Sequence, residues 1–128
     1  MNACVYCRVA VSGQPWTLEA QRLALARYSK EQGYTVVHEI WEYGSGCDMK
    51  RPGLQNALAL SKNHVYDVLL VKSINRIARR QTDWLHILKY LHQNGARVVS
   101  VDEGDLSSPE WQAMRGALMK ILGGEQIG

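Results

Sequence analysis

The segment Tyr66–Lys72, YDVLLVK, sets the tightest limit on the fold. Its apolar core, Val68–Val71, has no polar side to turn toward water, so this strand must be buried on both faces. A sheet holding such a strand needs helices above and below it, and the chain supplies them. Asn2–Val9 reads as another buried strand. Thr17–Tyr34 reads as an amphipathic helix with Leu18, Leu23, Leu25 and Tyr28 among its apolar positions, and Thr35–Tyr43 as an alternating strand. Thr17 is the expected N-cap of the first helix and Gly33 its left-handed terminal residue. Pro52 opens a short helix near Leu54–Asn63, Asp83–Asn94 is a helix ended by Gly95, and Arg97–Asp102 is a fourth strand. Strands alternating with helices across short loops predict right-handed crossovers. The expected fold class is therefore α/β, a mostly parallel sheet with helices on both faces.

With 128 residues and 46% hydrophobic content, the chain builds one domain around a single core. A net charge of +3 excludes a broadly basic, coat-like nucleic-acid binder, so an acidic partner must be met by a local cluster. No apolar run approaches the length of a membrane span and no signal peptide is evident, which predicts a soluble, cytoplasmic protein. Three cysteines, an odd count, fit a reducing compartment. Cys4 and Cys7 form a literal C-x-x-C, but on a strand positions three apart face opposite ways, so these thiols serve as small buried side chains. His38, His64, His86 and His92 show no metal-site spacing.

Ligands of open α/β sheets bind beyond the carboxyl ends of the strands. After the first strand come Arg8 and Ser12. After the second comes the G-S-G loop, with Lys50 and Arg51. After the third comes SINRIARR, with Arg76, Arg79 and Arg80. Lys72–Arg80 holds four positive charges and no negative one, an arrangement that suits a multivalent anion, phosphate above all, because guanidinium binds two of its oxygens at once. The bland alternative is a solvated helix face. The G-S-G is a turn signal without the spacing of a nucleotide-binding loop. Asp48, Asp67, Asp102 and Glu103 do not make a metal site, since Asp67 opens its strand at the far end from the loops. No cofactor and no metal are expected.

Five blocks in order, YCRV, LEAQ, GSG with KRPGL, DVLLVKSINRIAR and VDEG, resemble the catalytic domain of serine site-specific recombinases of the resolvase and invertase family, from about Ala3 to Gly104. The resemblance implies a flavodoxin-like sheet and a role in DNA recombination or integration on a mobile element. In that family a serine hydroxyl attacks the scissile phosphate, giving a 5'-phosphoserine link and a free 3'-hydroxyl. Arginines stabilise the transition state without metal or nucleotide. Carried over, the catalytic arginines are Arg8, Arg51 and the two helix-start residues Arg76 and Arg79. Gln21 joins the phosphate-binding set, and Arg80 is placed there too.

Two positions depart from the family pattern. Ala10 stands at the nucleophile's place and has no hydroxyl, and Asn75 stands where the family has aspartate. Ser12 is the best available hydroxyl, weighed against an ordinary turn role. The resemblance divides the chain into a catalytic domain, 1–106, and the start of a C-terminal oligomerisation helix, 107–128, with no DNA-recognition domain. In that tail Trp111, Met114, Leu118 and Ile121 form an apolar stripe at helical spacing. Implied partners are DNA and a second copy, as a homodimer and, if active, a tetramer in a synaptic complex. Three readings are open: a recombinase catalytic domain impaired at its nucleophile, a non-catalytic DNA-binding or regulatory partner, and a small-molecule phosphate-binding α/β domain, which explains the arginines but not the five blocks.

Overall fold

A computed structural model describes residues 1–106 and, beyond them, Ala113 and Gly116, which are helical and exposed. The tail stripe, Trp111, Met114, Leu118 and Ile121, and all of the oligomerisation helix expected over 107–128 except those two positions lie outside the described residues. The elements run β1 (Asn2–Val9), α1 (Pro15–Gln32), β2 (Thr35–Tyr43), α2 (Pro52–Lys62), β3 (Val68–Val71), α3 (Gln81–Gln93), β4 (Arg97–Ser100) and β5 (Gly104–Asp105), with a short 3-10 turn at Ile74–Arg76 between β3 and α3. The strand order is β2-β1-β3-β4-β5. The first four strands are parallel and β5 runs antiparallel to β4, which is the expected α/β sheet.

Helices cover both faces. Ala3, Val5 and Cys7 of β1 pack toward Leu25 of α1, whereas Cys4 and Tyr6 pack toward Leu54, Ala57, Ile87 and Leu91 of α2 and α3. The two thiols therefore face opposite layers, and burial pushes both up to about 12. β3 is buried at all four positions, as its unbroken apolar run requires.

Several boundaries differ from the sequence expectation. Helix α1 starts two residues early: Gln14 is the N-cap and Pro15 occupies the first turn, where its fixed φ and missing N–H cost nothing. Thr17 is thus inside the helix. Leu23 is 56% exposed because it lies about 200° around the helix from Leu25. Gly33 does close α1 in the left-handed region, at φ 74°. β3 and β4 are shorter than expected, and β4 ends at Ser100. The chain then turns through Gly104, at φ 88°, into β5, whose two residues are too few to show a periodicity.

Candidate active site

The loops after β1, β2 and β3 emerge at one edge of the sheet, and Arg8 ties them together. This last polar residue of an otherwise apolar strand is only 8% exposed. Its Nη1 donates to the Gly44 carbonyl at 2.8 Å, its Nη2 to the Asn75 carbonyl at 2.9 Å and its Nε to the Arg76 carbonyl at 3.0 Å. Burial first, and then the neighbouring Arg51 charge, pull the Arg8 guanidinium below its ordinary range. Gln21, buried on α1, fixes the main chain of Arg8 from the other side: Nε2 donates to its carbonyl at 2.9 Å and Oε1 accepts from its N–H at 3.3 Å.

Arg51 is buried more completely, at 1% exposure, and sits at the N-cap of α2. Its Nη1 donates to the Ser45 and Asp48 carbonyls, each at 2.9 Å, its Nη2 to the Ile77 carbonyl, and its Nε to the Tyr6 hydroxyl at 3.1 Å. Glu42 lies 3.5 Å from Nε. That carboxylate also accepts the Tyr6 hydroxyl proton and the N–H groups of Gly53 (2.8 Å) and Leu54 (3.0 Å), the unpaired donors at the start of α2. Burial and the bond to Glu42 raise the Tyr6 phenol well above its usual value. Tyr6 and Glu42 escaped sequence reasoning. The available signal was Glu42 itself, a carboxylate flanked by Trp41 and Tyr43 on a strand.

The remaining positions lie farther out. Asn75 is exposed and Arg76 half-buried on the 3-10 turn, so Arg76 and Arg79 precede α3 rather than start it. Arg76 Nη1 donates to the Arg8 carbonyl at 3.2 Å. Arg79 is exposed, and its main-chain N–H donates to the Gly46 carbonyl at 2.9 Å. Arg80 is exposed and lies 3.8 Å from Asp83. Asn75 Oδ1 accepts the Ser73 hydroxyl at 2.5 Å. Ala10 and Ser12 are exposed in the turn after β1, which Gly13 closes by donating to the Ala10 carbonyl at 2.7 Å.

The G-S-G loop is more than a turn. A Cβ at Gly44 would lie 2.9 Å from Arg51 Cδ, and one at Gly46 would lie 3.1 Å from Arg8 Nη2 and 3.0 Å from Arg79 Cβ. Both glycines let the loop close over arginines. Asp67 lies at the opposite end of the sheet, where it accepts the Asn2 N–H at 2.9 Å.

Comparison with known proteins agrees with this architecture. The family model described as "Resolvase, N terminal domain" matches residues 3–124. The C-terminal catalytic domain of ISC1926 TnpA, an IS607-like serine recombinase, is 29% identical with a TM-score of 0.75 over 79% of this chain and 70% of that one. The N-terminal catalytic domain of TP901-1 integrase shares the fold at 24% identity, with a TM-score of 0.86 over 98% of this chain and 97% of that one. A resolvase family site-specific recombinase from Streptococcus pneumoniae does so at 21% identity, with a TM-score of 0.81 over 99% and 90%. With its arginines gathered at the carboxyl edge of a β2-β1-β3-β4-β5 sheet and the family model spanning nearly its whole length, the chain belongs to the resolvase family and carries a serine recombinase catalytic domain.

Proposed function

We propose that this domain engages a DNA phosphodiester through Arg76 and Arg79, with Arg8 behind them, and that its strand-cleavage chemistry is impaired at Ala10. The observation carrying this reading is the convergence of the loops after β2 and β3 on Arg8, beside an exposed Ala10. In the family reaction a serine oxygen bonds to phosphorus, the bond from phosphorus to the 3'-oxygen breaks, the serine loses its proton and the 3'-oxygen gains one. A methyl side chain forms no such ester. Arg51 and Gln21 enter this reading as supports, because both are buried and donate to the protein's own groups.

A second reading, a non-catalytic DNA-binding or regulatory partner, is favoured by Ala10 and Asn75 together. Asn75 lacks the charge of the family's aspartate, and its oxygen is occupied by Ser73. In either reading residues 107–128 supply self-association through the apolar stripe, and truncation at Ser107 weakens it.

Covalent capture separates the two readings. Fused to a functional DNA-binding domain and offered a nicked suicide duplex, Ala10→Ser yields a protein–DNA adduct and the parent yields none. An adduct of the parent that maps to Ser12 and is lost in Ser12→Ala would make Ser12 the nucleophile. No adduct from either serine, with DNA binding intact, would favour the partner reading.

A further inference from the structure

The turn carrying Asn75 and Arg76 is gripped from two sides, and only the inner grip belongs to the arginine cluster. On the inner side Arg8 takes the Asn75 and Arg76 carbonyls. On the outer side the Ile74 N–H, the first unpaired donor of the 3-10 turn, has no local cap, because the Ser73 hydroxyl is directed to Asn75. Its acceptor comes from 29 residues downstream: Glu103 Oε1, at 2.8 Å.

Glu103 is itself anchored. The same oxygen accepts the Ser100 hydroxyl at 2.5 Å, and the Glu103 N–H donates back to Ser100 Oγ at 3.1 Å. Ser100 is fully buried and pairs with Val71 in the sheet, so the carboxylate is tied to the β3–β4 ladder rather than to a loose loop. The preceding residue, Asp102, is occupied elsewhere, in an ion pair with Lys72.

We infer that Glu103 is a positioning residue: it holds the Ile74–Arg76 turn from the sheet side, so that Arg76 keeps its place when an incoming phosphate competes for the inner grip. This role rests on the DNA-phosphate reading of the site. Neighbouring acidity alone does not explain it, since Asp102 on the same turn makes no bond to Ile74.

Two measurements test it. In the full chain, amide hydrogen exchange at Ile74 and Arg76 should accelerate at least about 10-fold in Glu103→Ala, stay at the parental rate in Glu103→Gln, whose Oε1 still accepts, and stay unchanged in Asp102→Ala. Parental exchange in Glu103→Ala would overturn the inference. Should Glu103→Ala not fold, Glu103→Asp, with its acceptor drawn back by one methylene, decides the same point. In the capture assay, Glu103→Ala added to Ala10→Ser should slow adduct formation on the order of 10- to 100-fold without weakening DNA affinity, and Glu103→Gln should restore the rate. An unchanged rate would also overturn it. If Ala10→Ser alone forms no adduct, the cleavage reading fails while the exchange result still decides the role of Glu103.

Discussion

Arg8 and Arg76 hold each other by the main chain: Arg8 Nε donates to the Arg76 carbonyl at 3.0 Å, and Arg76 Nη1 donates to the Arg8 carbonyl at 3.2 Å. Two like charges are thereby fixed close together by carbonyl dipoles, and among the described residues no carboxylate is hydrogen-bonded to either. Carbonyls orient a guanidinium but do not cancel its charge, so the pair remains complementary to an anion.

Anion stabilisation follows directly. Sulfate or inorganic phosphate at millimolar concentration should raise the melting temperature more than chloride at equal ionic strength. At 100 times the dissociation constant the gain is about 2.7 kcal/mol. Differential scanning calorimetry of the parent and of Arg76→Ala checks this, and the variant should lose most of the gain.

Arg51 should behave as a structural residue first. Arg51→Ala leaves the Ser45, Asp48 and Ile77 carbonyls and the Glu42 carboxylate short of a donor, at a cost of about 3–5 kcal/mol. Arg51→Lys should recover little, because one ammonium does not span a fork that reaches three carbonyls and a phenol. Urea unfolding of both variants gives the comparison.

Gly46→Ala places a methyl 3.2 Å from the Arg79 main-chain nitrogen as well as against Arg8 Nη2, and the backbone contact has little room to yield. We expect a loss of about 1–3 kcal/mol and weaker anion binding in the same protein. Titration calorimetry with sulfate, beside thermal melts, reads both effects.

DNA binding by this domain alone should be weak, indifferent to sequence and steeply salt-dependent, as phosphate contacts dictate. Arg76→Ala with Arg79→Ala should abolish it. Fluorescence anisotropy over a salt series is the measurement, and parental binding by the double variant would remove both residues from the phosphate-contact set.

Alkaline pH should weaken the fold through Cys4 and Cys7. Their folded values, raised to about 12 from an ordinary 9.0, mean that the unfolded chain gives up its thiol protons first. The unfolded state then binds fewer protons, so stability is fully present below pH 9.0 and falls as pH rises toward 12, by about 1.4 kcal/mol per pH unit for each thiol. Denaturant midpoints of the parent and of the Cys4→Ala, Cys7→Ala double variant, followed from pH 8 upward, should diverge in slope.

The sheet was legible because β1, β2 and β3 declare themselves by apolar runs and alternation, and because Gly33 and Pro52 mark helix ends by backbone constraint. The clustering of Arg8, Arg51 and Arg76 at one edge was legible from their places after successive strands. Which donors face inward was not. Arg51 looks the same in sequence whether it meets a phosphate or the Ile77 carbonyl, and only three-dimensional closure makes the choice. Glu42 and Glu103 were hidden for the same reason, since their partners are Tyr6 and Ile74, far away along the chain. The stop of β4 at Ser100 reflects Gly104 and the Ser100–Glu103 pair, a local competition that hydrophobic periodicity does not register.

β1 is made before either of its neighbours yet lies inside the sheet, flanked by β2 and β3. During synthesis the β1-α1-β2 unit can close as soon as Tyr43 has emerged, which satisfies one edge of β1. The other edge, where Ala3, Cys4 and Val5 pair with Val68, Leu69 and Leu70, stays open until β3 has been translated. Through that interval the nascent chain exposes an unpaired, wholly apolar strand edge, the kind that recruits chaperones or neighbouring chains. A product released before Val71 would keep that edge permanently, so yield should depend on how quickly the ribosome passes the stretch between Gly44 and β3.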